Sequence, residues 1–192
     1  MTQMTARIVS SEDESLILVD RDDNETGTLS KARCHDGDGV LHRAFSVFLF
    51  DEQGRLLLQQ RASGKRLWPM YWSNSCCSHP RAGEEIGEAV VRRLNDELHT
   101  SSAPEFVYKF VYQAPFGDLG SEHELCHVFL GTAGVELQPN ASEIAEIRYV
   151  SAAALADEFA ASPESFTPWF KQEWGELNSN YAEQLARFCA VA

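Results

Sequence analysis

The run Ala44-Phe45-Ser46-Val47-Phe48-Leu49-Phe50 most limits the folds open to this chain. It is a dense apolar stretch of strand length, which reads as a β-strand. Asp51-Glu52-Gln53-Gly54 then turns the chain into Arg55 to Gln60, so the spacing predicts a hairpin. Leu16 to Asp20 reads as another strand, followed by a turn through Asp22 to Gly27. Phe106 to Gln113 alternates, which places Phe106, Tyr108, Phe110 and Tyr112 on one face. Leu125 to Gly131 and Ile147 to Val150 are further strands. Trp68 to Ser78 reads as irregular or extended. Glu84 to Leu98 carries Ile86, Ala89, Val90, Leu94 and Leu98 at helical spacing. On its other side Glu88 and Arg92 stand four apart, as do Arg93 and Glu97. Ser151 caps a helix through Ala160. Thr167-Pro168 starts a last helix towards Val191, with Gly175 or Asn178 to Asn180 as the points of interruption. Strands and helices in this order predict an α+β chain, a mixed sheet flanked by helices as an α-β-α sandwich. The division expected is a flexible segment over 1–14 and one domain over 15–192.

The net charge of −13 leaves no basic stripe for nucleic acid. No apolar run is long enough to span a membrane, and the polar segment Met1 to Glu14 does not read as a secretory signal. Five cysteines (Cys34, Cys76, Cys77, Cys126 and Cys189) make an odd count without a C-x-x-C pair. A reducing cytoplasm is therefore the expected location. An acidic protein that holds an anion must gather positive charge locally. Lys31, Arg61, Lys65, Arg66, Arg92 and Arg93 are the candidates, although each alone reads first as a solvated surface group.

Three histidines and two carboxylates could carry chemistry. His35 and His42 bracket a Gly/Asp loop, and His79 precedes Pro80, which biases it to extended backbone. Glu122 and Glu124 would share one face of a strand, with His123 on the other. Two carboxylates on one face repel each other unless a cation lies between them or solvent screens them. Five such ligands would make a mixed N/O site that suits Mn, Mg, Zn or Fe(II). Sequence spacing alone does not bring them together. Cys76 and Cys77 would face opposite ways in an extended segment, so one can enter a pocket while the other packs. A cysteine beside a metal is a plausible base or nucleophile; the bland reading is a small buried apolar group.

Read together, these residues resemble the type 1 isopentenyl-diphosphate isomerases over about Leu16 to Trp169. The matching pieces are Gly27-Thr28-Leu29-x-Lys31, His35-x6-His42-x-Ala44-Phe45-Ser46, Arg61-x3-Lys65, Trp68-Pro69, Trp72-x-Asn74-x2-Cys77-x-His79-Pro80, Glu84, Glu122-x-Glu124 and Pro168-Trp169. The resemblance implies a Nudix-type fold. It also implies interconversion of isopentenyl and dimethylallyl diphosphate through a tertiary carbocation, in isoprenoid biosynthesis. His35, His42, His79, Glu122 and Glu124 would bind a divalent metal (Mn²⁺, Mg²⁺ or Zn²⁺). Cys77 and Glu124 would be the acid/base pair, with Tyr112 supporting protonation and Trp169 facing the cation. Glu97 would hold a second ion, Mg²⁺, bridging to the diphosphate, and Lys31, Arg61, Lys65 and Arg93 would bind its oxygens. The Nudix signature on the helix is worn: Ser78 stands at its first Gly, Arg93 at a Glu of the Arg-Glu pair, His99 at its last Gly and Thr100 at its last apolar position.

Two other readings stay open. A Nudix hydrolase needs carboxylates that Arg93 removes, and gives Cys77 no task. A non-catalytic ligand-binding module leaves Cys77, Glu124, Tyr112 and Trp169 without a reason to occur together. The partner expected is a small diphosphate, with neither nucleic acid nor membrane, and the assembly a monomer or weak homodimer.

Overall fold

In the computed structural model, residues 7–189 are described. The strands are β1 (Ser15–Val19), β2 (Glu25–Ser30), β3 (His42–Phe50), β4 (Leu56–Arg61), β5 (Trp72–Ser73), β6 (Cys76–Ser78), β7 (Glu105–Pro115), β8 (Ser121–Thr132) and β9 (Ile144–Val150). The α-helices are α1 (Lys31–Cys34), α2 (Ile86–Leu98), α3 (Ala152–Ala161), α4 (Pro168–Asn180) and α5 (Ala182–Leu185).

β3 is the axis of the fold. It runs parallel to β8 from His42↔Glu124 to Phe50↔Thr132. It also pairs antiparallel with β6, Ser46 standing opposite Cys77. Its two faces differ in what they bury, as strand alternation requires. Phe45, Val47 and Leu49 pack with Ala89, Val90, Leu94 and Leu98 of α2. Phe48 and Phe50 pack with Trp169, Phe170, Trp174 and Leu177 of α4 and Leu155 of α3. The result is the expected mixed sheet between helices.

Three details differ from the sequence reading, and the last helix follows one of its two options. The turn at Asp51–Gly54 forms, but β3 and β4 share only the Phe50↔Leu56 pair. β4 pairs along its length with β9 instead. Hydrophobic pattern fixes that these are strands, whereas their partners are chosen by what covers each face. Secondly, the β7–β8 register shifts between Phe106 and Tyr108. Tyr108, Phe110 and Tyr112 stay in one row, while Phe106 contacts His127 and Phe129. An extra residue in one strand turns everything before it to the other face. The last helix is interrupted at the second of its two expected points: α4 runs through Gly175 and ends at Asn180, where the separate short α5 follows; residues 190–192 lie outside the described part. Lastly, the segment expected to be flexible is anchored from Arg7 on: Val9 is buried and its carbonyl accepts from Arg93. Residues 1–6 lie outside the described part.

Other expectations hold at the level of single residues. The Ser151 side chain accepts from the Ala154 N–H at the start of α3. His99, at the signature's last Gly position, ends α2 at φ +54° and closes it with N–H bonds to Asn95 and Leu94.

Candidate metal centre and reaction pocket

The register of β3 against β8 sets His42 beside Glu124. The loop before β3 brings in His35, and the residue after β6 is His79. One ligand atom from each of His35, His42, His79, Glu122 and Glu124 falls within 4.8 Å of all the others. The carboxylates alternate with His123 as a strand demands, so both enter the same space.

Bonds to the backbone fix two of the rings: His35 Nδ1 lies 2.7 Å from the Lys31 carbonyl and His42 Nδ1 2.7 Å from the Val40 carbonyl. Both then turn Nε2 inward, which is how metal-binding histidines are oriented. His42 Nε2 is buried without a hydrogen bond and stands 3.7 Å from Glu124 Oε1. A buried polar atom left unpaired is costly. A divalent cation would satisfy it and relieve the repulsion between the carboxylates, so this cluster fits such an ion.

Electrostatics separate the members. Burial pulls the His35 imidazole down, but the Glu122 carboxylate 2.7 Å away outweighs it and raises the ring to about 9. Burial and the neighbouring His79 push His42 down to about 3. Burial and His35 hold His79 well below its usual range. Burial acts to raise Glu122, yet His35 wins and keeps it well below the carboxylate range. Glu124 goes the other way: burial and the Glu122 charge raise it to about 7. The Tyr112 hydroxyl donates to Glu124 Oε2 at 2.6 Å, and His79 Nε2 lies 2.9 Å from Oε1.

Cys77 faces the same cavity from β6, while Cys76 turns into the core beneath α2. The Cys77 thiol donates to Asn74 Oδ1 at 2.9 Å, and its sulfur accepts from the Trp169 indole N–H at 3.3 Å. Hydroxyls of Ser46 and Ser73 lie 3.6 and 3.7 Å from it. Burial, with Glu173 adding, pushes the thiol up to about 12. Trp169 is also packed edge-on against Trp68, with ring centroids 5.1 Å apart. The Arg61 guanidinium lies 5.3 Å from the Trp169 ring centroid.

Lys31, Arg61, Lys65, Arg66 and Arg93 also line the cavity. These cations are already engaged. Lys31 reaches Ser10 Oγ at 2.7 Å, Lys65 pairs with Glu143, and Arg61 donates to the carbonyls of Leu67 and Trp68. Arg93 is almost wholly buried, with Glu97 Oε1 at 2.5 Å and Glu143 Oε2 at 3.5 Å. Glu97 therefore sits behind Arg93 and outside the five-residue cluster. Sequence reading gave no role to Ser46, Ser73 or Glu173. Alternation from His42 through Ser46 was the available signal for the first. Nothing local marks Glu173, which stands one helical turn after Trp169.

Comparison with known proteins agrees with this geometry. The NUDIX domain profile matches residues 40–170. DR0079 from Deinococcus radiodurans shares the fold, with a TM-score of 0.66 at 21% identity over 91% of this chain and 99% of that one. The chain belongs to the Nudix family. The Isopentenyl-diphosphate Delta-isomerase of Serratia proteamaculans is 46% identical over 93% of this chain and 99% of its own length. That of Streptomyces avermitilis is 47% identical over 81% of this chain and 79% of its own. Within the Nudix proteins, the chain thus belongs to the isopentenyl-diphosphate isomerases.

Proposed function

We propose that this protein interconverts isopentenyl and dimethylallyl diphosphate by adding a proton at one carbon and removing one at another. One observation carries the reading: Cys77 and Glu124, from different strands, open on the same cavity with Trp169 and Tyr112. A hydrolase would have no use for that pairing.

An unactivated alkene is a weak base, so its acid must be strong and held close. Burial and the Glu122 charge raise Glu124, which favours its protonated form. Glu124 delivers that proton to the terminal alkene carbon, and Tyr112 holds its second oxygen in place. His35, His42, His79, Glu122 and Glu124 would hold a divalent ion, whose positive charge would make the protonated carboxyl more acidic. A tertiary cation then develops, and the indole face of Trp169 stabilises it. Cys77, as its thiolate, removes a proton from the opposite side of the substrate, so its own proton leaves before the substrate reacts and the turnover ends with Cys77 protonated and Glu124 ionised. Trp68, packed against Trp169, and Phe116 beside it exclude water that would trap the cation, while Trp72 lies against Arg148 away from this cavity. Lys31, Arg61, Lys65 and Arg93 would meet the diphosphate oxygens, and Glu97, held by Arg93, would be the residue to hold a Mg²⁺. Described helices include none long and apolar enough to cross a membrane. A cytoplasmic monomer or weak homodimer fits the free thiols of Cys34, Cys76, Cys77 and Cys126.

The test is purified protein with Mg²⁺ and isopentenyl diphosphate in D₂O, followed by NMR. Dimethylallyl diphosphate deuterated in its methyl groups is expected. Cys77→Ala and Glu124→Gln should each lower kcat by about 10²–10⁴-fold, while Cys76→Ala stays near wild type. Phosphate release in place of isomerisation, or an equally inactive but folded Cys76→Ala, overturns the assignment.

A further inference from the structure

One buried carboxyl has no part in the chemistry above. Glu173 lies in α4 within the apolar cluster of Tyr108, Cys126, Trp169 and Phe170, and is 0% exposed. Among the described residues no Lys, Arg or His pairs with it. Burial raises it to about 8, and its Oε2 has no hydrogen-bond partner. An uncompensated carboxyl in a core is costly, and an apolar residue of similar size would serve packing better.

Its neighbours lead to the reacting sulfur. Cys126 Sγ lies 3.5 Å from Glu173 Oε1 and 3.4 Å from Ser46 Oγ. On its other side Ser46 Oγ lies 3.6 Å from Cys77 Sγ. We propose that Glu173 is a positioning residue for Cys77: as a neutral acid, it sets the direction of the Cys126 and Ser46 hydrogen bonds so that the Ser46 hydroxyl is presented to the Cys77 sulfur. The argument is one of donor counting. Ser46 has a single proton to give. Facing a carboxylate, the Cys126 proton turns to Glu173 Oε1, and the Ser46 proton is then drawn to the Cys126 sulfur and away from Cys77. Facing a carboxylic acid, the Cys126 sulfur accepts from Glu173, the Cys126 thiol donates to Ser46, and the Ser46 proton points to the Cys77 sulfur. A neutral Glu173 also spares a Cys77 thiolate a buried like charge. The ionisable groups around the carboxyl are Cys126 and Glu124 on β8, Cys77 on β6 and Tyr108 on β7, all of them acids.

The inference rests on Cys77 being the reacting thiol. Its test therefore has an arm independent of turnover: the rate of Cys77 alkylation by iodoacetamide without substrate, read by peptide mass. Glu173→Gln keeps a neutral donor and should alkylate and turn over within about threefold of wild type. Glu173→Leu should lose about tenfold in both kcat and alkylation rate, one hydrogen bond to a charged group. Its KM for isopentenyl diphosphate should stay unchanged and its Tm should equal or exceed wild type. Ser46→Ala should match it, and the double variant should be no slower than either. A Leu variant with wild-type alkylation, a Gln variant as slow as Leu, or multiplicative losses in the double variant each overturn the proposal. A protein that isomerises nothing sinks the function assigned above but leaves the alkylation comparison decisive.

Discussion

Gly120 offers a test of how tightly the metal centre is built into the chain. It lies in the hairpin between β7 and β8 at φ +144°, a conformation that residues with a Cβ rarely adopt. A Cβ there would overlap the carbonyl oxygen of His35 and stand 3.3 Å from its carbonyl carbon. Relieving that overlap takes a shift of roughly 1 Å. The same carbonyl accepts from the Ser121 N–H at 3.1 Å, so the shift breaks this bond between the two ligand-bearing segments. Backbone strain of about 1–3 kcal/mol and a lost bond of about 1 kcal/mol put the cost of Gly120→Ala at about 2–4 kcal/mol. For a chain of this size that lowers Tm by about 4–16 °C. His35 and Glu122 flank the displaced bond, so metal affinity should fall about 10–100-fold, and kcat about 10²-fold for a misplacement of that size. Gly117→Ala is the control: its φ is +57°, but nothing lies within 4 Å of the added carbon. It should cost only left-handed strain, about 1–2 kcal/mol, with metal affinity intact. Calorimetric unfolding and metal titration of both variants give the answer. If Gly120→Ala binds metal as Gly117→Ala does, the hairpin does not hold the centre and the reasoning is wrong.

Stripping divalent metal with a chelator should abolish activity and lower Tm, since an ion at 100 times its Kd stabilises by about 2.7 kcal/mol; a verified metal-free protein with unchanged melting would refute the fit of the five ligands. Arg93→Met should cost about 3–5 kcal/mol in urea unfolding, because it strands Glu97 as a buried charge and leaves Glu143 to Lys65 alone. A neutral or stabilising result would mean that Glu97 finds another partner. Asp23 is drawn up by burial, but Arg43, Lys109 and His127 outweigh this and hold it below 3.8. Its folded-state pKa lies below the unfolded one, so its stabilisation is present above the unfolded value and is lost as pH falls through the folded one. The stability gap between wild type and Asp23→Asn should accordingly be full at about pH 6 and close as pH drops below about 4. A gap that widens in acid would contradict this pairing.

Much of the protein could be read along the chain because its signals are local. The apolar run of β3, the helical spacing of α2, the Ser151 cap and the Pro168 start each depend on neighbours a few residues away. The same holds for two choices at the site: alternation separates Cys76 from Cys77 and joins Glu122 with Glu124. What local pattern does not contain is which strand lies beside which. Tertiary structure decided that β3 runs parallel to β8, and so set His42 against Glu124 and closed the five ligands to within 4.8 Å. It decided that an extra residue near Phe106 turns that ring away from Tyr108. It also carried Glu173 into the core behind Ser46 and Cys126, a position no periodicity marks, because a helix's register on a sheet is set by the packing of both surfaces together. The proposed cysteine and glutamate were thus named from sequence, through the resemblance to a family, but the polar surroundings of Cys77 were not: they come from three separate strands and one helix, and only folding makes them neighbours.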